Sequence, residues 1–236
     1  TQEEIGVGAL VRANGHHTTL ASKPTKSNYD LSTYNVATGE ETVFQTTANC
    51  YVVKAPGTYM IPLVYGNGVV GGAVNESAFR GREGISGEWR EDEGTTGFLG
   101  RFKDHLDQNI TSPYIATQLS GKALSATLVW EDVPGLVEVD ASISGSGENA
   151  YLTFSVPADN ITQGNALVAV LADGVIAWSW HIWVTDEDLT DVKEGCNGYW
   201  FAPVNIGWCD GRVEGYAERF CYVRATQSIS GKSAIA

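Results

Sequence analysis

Few residues in this chain have the type and spacing that chemistry needs. Glu138 and Asp140 stand two apart in an alternating stretch, so a strand would show both carboxylates on one face. Glycoside hydrolysis uses two such acids across a cleft, one with a raised pKa. Here Ile143 stands where a third acid would complete the set, and solvent-facing charges on an amphipathic strand give the same pattern. Asp186-Glu187-Asp188, with Asp191 and Glu194, could gather oxygen ligands for calcium. The run lacks the glycine and spacing of a helix-loop-helix calcium loop, so a solvated acidic loop is expected.

His16-His17 invites a metal reading, but no further ligands sit nearby in sequence, and a solvated loop is expected over 14–28. With four histidines and no G-x-S-x-G elbow, nucleophilic hydrolysis has little to build on. His181, between Ser179 and Trp183 in a strand-like run, is expected to be a core histidine bonded to a backbone carbonyl. The expectation is therefore no catalytic set, no metal site and no cofactor. Tyr199, Trp200 and Trp208, with Trp89 upstream, are candidates for stacking on sugar rings, whereas most tryptophans of a sandwich are core.

The elements that must position these residues centre on Asn165–Asp186. Two β-rich runs flank Asp173-Gly174, a dipeptide suited to the positive φ angles of a tight hairpin. Folding about it places Ala172 opposite Val175, Leu171 opposite Ile176, Ala169 opposite Trp178 and Leu167 opposite Trp180. Ile176, Trp178, Trp180, Ile182 and Val184 then share a core face, while His181 and Trp183 take the other. Further strands are expected at 5–11, 33–36, 42–45, 50–53, 59–65, 126–130, 136–143, 151–156 and 219–227. Ala55-Pro-Gly-Thr58 has type II turn chemistry where two strands meet or cross, and Pro62 is expected at an edge or bulge. Strand patterning lapses over 66–124, and Leu99, Phe102 and Leu106 predict a short helix over 98–109 within that insertion.

These signals predict an all-β, Ig-like or Greek-key sandwich with a long insertion carrying one short α-helix. Residues 1–45 add strands or form a small lobe, and 46–236 form the sandwich with its insertion at 66–124. The 27 glycines, ten tyrosines and seven tryptophans among 236 residues suit such a chain. A net charge of −13 argues against nucleic acid and against charge-driven binding to an anionic membrane. No run approaches the roughly 20 apolar residues of a membrane-spanning helix. The chain opens without Met or an apolar h-region, so a removed signal or a start inside a longer chain is expected. Cys50, Cys196, Cys209 and Cys221 show neither C-x-x-C nor zinc spacing; one disulfide among the last three and fully reduced thiols both fit.

Thr47-Ala-Asn-Cys-Tyr-Val-Val53, Ala55-Pro-Gly-Thr-Tyr59, Leu63-Val-Tyr-Gly-Asn67, Gly164-Asn-Ala166 and Trp178-Ser-Trp-His-Ile-Trp-Val-Thr-Asp186 occur in that order. Over about 46–186 the chain thereby resembles the fimbrillin-like surface proteins of Gram-negative gut anaerobes. The resemblance implies β-sandwich domains, export to the cell surface or outer membrane, often as a lipoprotein, and a role in adhesion or fimbria-like assembly. Its implied partners are other surface-protein subunits, joined by β-augmentation. It carries no catalytic residue across. A glycan-binding module of a surface polysaccharide system is the alternative, and a sandwich hydrolase using Glu138 and Asp140 a weaker third.

Overall fold

The structure, a computed structural model, describes residues 14–79, 102–195 and 198–210. Its eight main strands, numbered with the short ones in chain order, are β1 (Lys26–Asp30), β4 (Cys50–Val53), β5 (Gly57–Pro62), β8 (Leu124–Glu131), β9 (Glu138–Ser144), β10 (Tyr151–Val156), β11 (Gly164–Ala172) and β12 (Val175–Val184). Three two-residue pairs complete the set: β2 (Tyr34–Asn35) with β3 (Glu40–Glu41), β6 (Val69–Val70) with β7 (Ala73–Val74), and β13 (Lys193–Glu194) with β14 (Trp200–Phe201).

One sheet has the order β1-β5-β10-β9 and the other β4-β12-β11-β8. Their inner faces meet in one apolar core, so the chain is an all-β sandwich. The chain changes sheet between β1 and β4, β4 and β5, β5 and β8, β8 and β9, and β10 and β11. At the crossing from β4 to β5 Gly57 has φ +145°, and a Cβ there would come within 2.2 Å of the Lys26 carbonyl oxygen. Only glycine lets β1 lie against β5 at that point. Among the described residues, 26–30 thus enter the sandwich as an edge strand. Pro62 ends β5, opposite Tyr151 of β10, where its missing N–H interrupts no ladder.

The outermost described strands on the β1/β4 side run parallel to their neighbours, β1 to β5 and β4 to β12. At the opposite side β8 and β9 join through Val133-Pro-Gly135. There Glu131 accepts from the backbone N–H groups of Gly135 (2.6 Å) and Val137 (3.2 Å), which fixes the corner.

The Asp173-Gly174 turn forms as expected, with φ of 50° and 82°. Beyond Leu171↔Ile176, however, the pairing becomes Val170↔Trp178, Val168↔Trp180 and Leu167↔His181. Trp178 and Trp180 therefore do not face Ala169 and Leu167. Ala177 is an extra residue, a β-bulge that shifts every later partner by one. The bulge turns Ile176 to solvent and lets Ala177 join the core. Trp180, Ile182 and Val184 face inward, fully buried against Ile61, Leu152 and Phe154 of the other sheet. Trp178 is half-buried, edge-on to Tyr65 at 5.1 Å between ring centroids.

Two local expectations fail. Residues 14–21 form a helix rather than a solvated loop. Its His17 Nδ1 lies 2.7 Å from the Ile161 carbonyl, and Leu20 is fully buried, so tertiary contact stabilises a segment too polar to announce itself. In contrast, residues 102–109 are not helical. Asp104 accepts from the N–H groups of Leu106 and Gln108, Asp107 takes φ +60°, and Lys103 bridges to Asn109. A side chain that captures its own following amides competes with helix, and Phe102 and Leu106 stay exposed. Among the described residues of the insertion the α-helix is Ile115–Gln118, held by Ile115 N–H donating to Leu63 O at 2.8 Å. Ile110, Ile115 and Leu119 belong to the core, so the described parts of the insertion pack as part of the sandwich. The strands expected at 5–11 and 219–227 lie outside the described residues.

Burial separates the two indoles energetically. Trp180→Ala is expected to cost about 3–5 kcal/mol in urea unfolding, and Trp178→Ala clearly less because part of its ring is already hydrated. Equal costs, or the reverse order, would contradict an inward Trp180.

Candidate functional site

The structure scatters most of the sequence candidates. Glu138 and Asp140 sit exposed on β9, where Asp140 accepts from Ser142 N–H (2.9 Å) and Oγ (2.7 Å). Those bonds hold its carboxyl below the ordinary range, opposite to what a general acid needs. The acidic residues after β12 are engaged separately: Asp186 with His16 and Gln163, Asp188 with Thr190, and Asp191 with Lys193. Among the described residues no cluster of three or more metal-ligating side chains occurs. His16 lies with Nδ1 2.9 Å from Asp186 Oδ1, so it ties the N-terminal helix to the sandwich rather than sitting in a solvated loop.

Of the aromatic candidates, the described side chains are those of Tyr199 and Trp208. Tyr199 is exposed, Trp200 lies in β14, and Trp89 falls outside the described residues. Trp208 is half-buried instead, packed with Val204 against Val52, Trp183 and Leu189 on the outer face of the β4-β12-β11-β8 sheet. Its carbonyl accepts from Trp183 Nε1–H at 3.0 Å. That small second core explains why Trp183, on the face away from the main core, is nonetheless buried.

The same outer face carries a relay of polar side chains. The register places His181 beside Cys50 on one neighbour and Leu167 on the other, with Asn165 one step diagonal. Cys50 Sγ is 3.3 Å from His181 Nδ1, and His181 Nε2 is 2.8 Å from Asn165 Oδ1. Asn165 Nδ2 donates toward Asp132 Oδ2 (3.1 Å), Gly207 O (3.0 Å) and Cys209 Sγ (3.3 Å). Asp132 Oδ1 also accepts from Asn165 N–H at 2.8 Å.

The network fixes one tautomer. Three acceptors surround Nδ2, so the amide oxygen must be the atom that faces the ring. An oxygen can only accept, hence Nε2 carries the proton and Nδ1 presents its lone pair to the Cys50 thiol. Burial pushes that thiol up to about 11 and, against the opposing pull of Asp132, pushes His181 below its ordinary value. Both groups are neutral at rest. The expected backbone carbonyl partner of His181's ring is replaced by Cys50 and Asn165.

A second feature lies where the β1 and β4 edges leave the sandwich open. A cleft of about 490 Å³ is lined by Tyr29, Tyr34, Tyr59, Lys23, Lys26, Lys54, Glu41, Asp186 and Asp188, among others. The chain has only 15 lysines and arginines in 236 residues, so three lysines here are a local concentration. Lys54 is held below its ordinary pKa by burial and donates to Glu187 O at 2.6 Å. Lys26 pairs with Glu41 at 3.1 Å and lies 4.4 Å from the centre of the Tyr29 ring. Burial and the Glu41 carboxylate push Tyr29 up to about 12.

Neither feature had a local signal. The Asn-Cys of 49–50, the Asn of 165 and the histidine of 181 stand far apart in sequence, and only strand order brings them together. Cys50 and His181 are neighbours because β4 pairs with β12.

Two stability experiments follow from the relay. Asn165→Ala strands His181 Nε2–H and should cost about 1–3 kcal/mol in denaturant unfolding; a change within error would show the network is not formed. For pH, the unfolded chain protonates His181 more readily than the folded one, so stability falls as pH drops below 6.5. The folded thiol keeps its proton from 9 up to about 11 while the unfolded thiol loses it, so stability also falls as pH rises past 9. Cys50→Ala should flatten the limb between pH 9 and 10 in urea titrations. An unchanged limb would mean the thiol ionises normally.

No protein-family model matches the chain, and no curated protein and no solved structure matches it either.

Proposed function

We propose that this is a non-enzymatic, exported cell-surface protein of the adhesion or fimbria-like assembly kind, and that the cleft between β1 and β4 is where it meets its partner. The observation that carries the reading is the cleft itself: it lies between two sheet edges that have no further strand beside them among the described residues. Strand edges offer rows of backbone donors and acceptors that an extended segment of another subunit can complete. The tyrosines supply apolar walls, and the three lysines and three carboxylates give polar fixing points on both signs of charge. The sequence resemblance to fimbrillin-like proteins supports the same class of role, and the cell surface or outer membrane as the place of action.

Glycan binding is the second reading, favoured by one specific feature. Tyr29 and Tyr34 line a cavity of ligand size, which suits sugar rings better than Trp208, packed as it is into the small second core.

Sedimentation across the micromolar range, read with amide exchange, separates the readings from a glycan array. Assembly predicts concentration-dependent association with new protection at 26–30 and 50–53. Glycan binding predicts array signals reduced about tenfold or more, roughly 1.4 kcal/mol, in Tyr29→Ala and Tyr34→Ala, without association. Monomeric behaviour combined with an empty array would remove the cleft from both accounts.

A further inference from the structure

The outer-face relay has the parts of an activated nucleophile, in the order such sites use them. A thiol is within hydrogen-bond reach of an imidazole nitrogen, and a third group orients the ring through its other nitrogen. Recurrence of this constellation on unrelated folds means it is recognised by geometry, not by chain order. The orienting amide is itself clamped by Asp132 and by the carbonyl of Gly207. Gly207 is required for that approach: a Cβ there would fall 3.0 Å from Asn165 Oδ1 and 3.3 Å from His181 Cε1, at φ +80°.

Cys50 is also reachable. It is half-buried, carries a free thiol, and is among the residues lining a cavity of about 370 Å³. That cavity runs beside β4 and is walled on the other side by residues 31–37 and 42–48, including Ser32, Thr42 and Thr46. It is large enough for a small acyl chain.

We propose that Cys50 is an acyl acceptor, with His181 as its base and Asn165 as the positioning residue, taking acyl groups from thioesters or activated esters. As Sγ bonds to the acyl carbon, the thiol proton passes to His181 Nδ1. The bond from that carbon to the leaving sulfur or oxygen then breaks, and the leaving group departs with the proton from Nδ1–H. The products are a Cys50 thioester and a neutral thiol or alcohol, with His181 returned to its Nε2–H form. Burial leaves little thiolate at neutral pH, so proton transfer must accompany attack. The titratable groups around the relay are Cys50 on β4, which meets His181, and Asp132 after β8 and Cys209 in the 204–210 segment, which meet Asn165; of these Asp132 is the one that raises the His181 pKa. This site is separate from the cleft, and its readout is thiol acylation rather than association or glycan binding.

The test is p-nitrophenyl acetate on the full chain, followed by nitrophenolate release, intact mass and peptide mapping. One acetyl group should appear per chain, on Cys50. Its rate should level off above the depressed His181 pKa and stay flat to about pH 8, because a neutral imidazole is then the base. His181→Ala should slow Cys50 acetylation by about 100-fold. A wild-type rate climbing about tenfold per pH unit, the signature of bare thiolate attack, would overturn the proposal. So would acetyl on another residue in place of Cys50, or an unchanged rate in a folded His181→Ala. Should that variant fail to fold, the wild-type pH profile decides alone.

Discussion

The central hairpin of β11 and β12 must be covered on both faces, and the rest of the structure answers that demand. Trp180, Ile182 and Val184 point to one side and require the β1-β5-β10-β9 sheet over them. His181 and Trp183 point to the other, where a solvated surface would leave an indole and a strand of half-apolar residues bare. Val52, Leu189, Val204 and Trp208 close over Trp183 and form the second, smaller core. A strand buried on both faces normally reads as a continuous apolar run. Here polar residues interrupt it, so each must find a partner under the covering segment. Cys50, His181, Asn165 and Asp132 are the result: they satisfy one another.

The sandwich was legible because its signals are local. Asp173-Gly174, Val133-Pro-Gly135 and Pro157 punctuate alternating runs, and the strands they delimit at β8, β9, β10, β11 and β12 form where expected. Register was legible only up to the first irregularity. Alternation cannot reveal that Ala177 is an extra residue, because a bulge simply hands the period on with its phase reversed. The misplaced helix has a similar cause: Leu99, Phe102 and Leu106 keep helical spacing, yet Asp104 spends its carboxylate on the amides that a helix would use.

The candidate sites were legible to a smaller degree, since chemistry here comes from strand order rather than motif. Sequence spacing offers Asp186-Glu-Asp188 and the 199–208 aromatics only as candidates beside a solvated loop and core packing, and the fold gives Asp186 and Asp188 separate partners and packs Trp208 into a small cluster. Conversely, nothing local links Cys50 to His181. The parallel pairing of β4 with β12 does so. Parallel neighbours join segments distant in sequence, and a nucleophile-base pair built that way leaves no spacing to find.

The tautomer of His181 is where the account stands most exposed. Nitrogen-15 spectra of the imidazole side chain, recorded from pH 5 to 8 (about the range over which an ordinary histidine titrates), report which ring nitrogen holds the proton. The Asn165 clamp requires a neutral ring with Nε2 protonated and Nδ1 bare, persisting below the pH at which an exposed histidine would charge. A ring protonated at Nδ1, or one that charges at the ordinary pKa, would contradict the Asn165 clamp and with it the arrangement of the outer face.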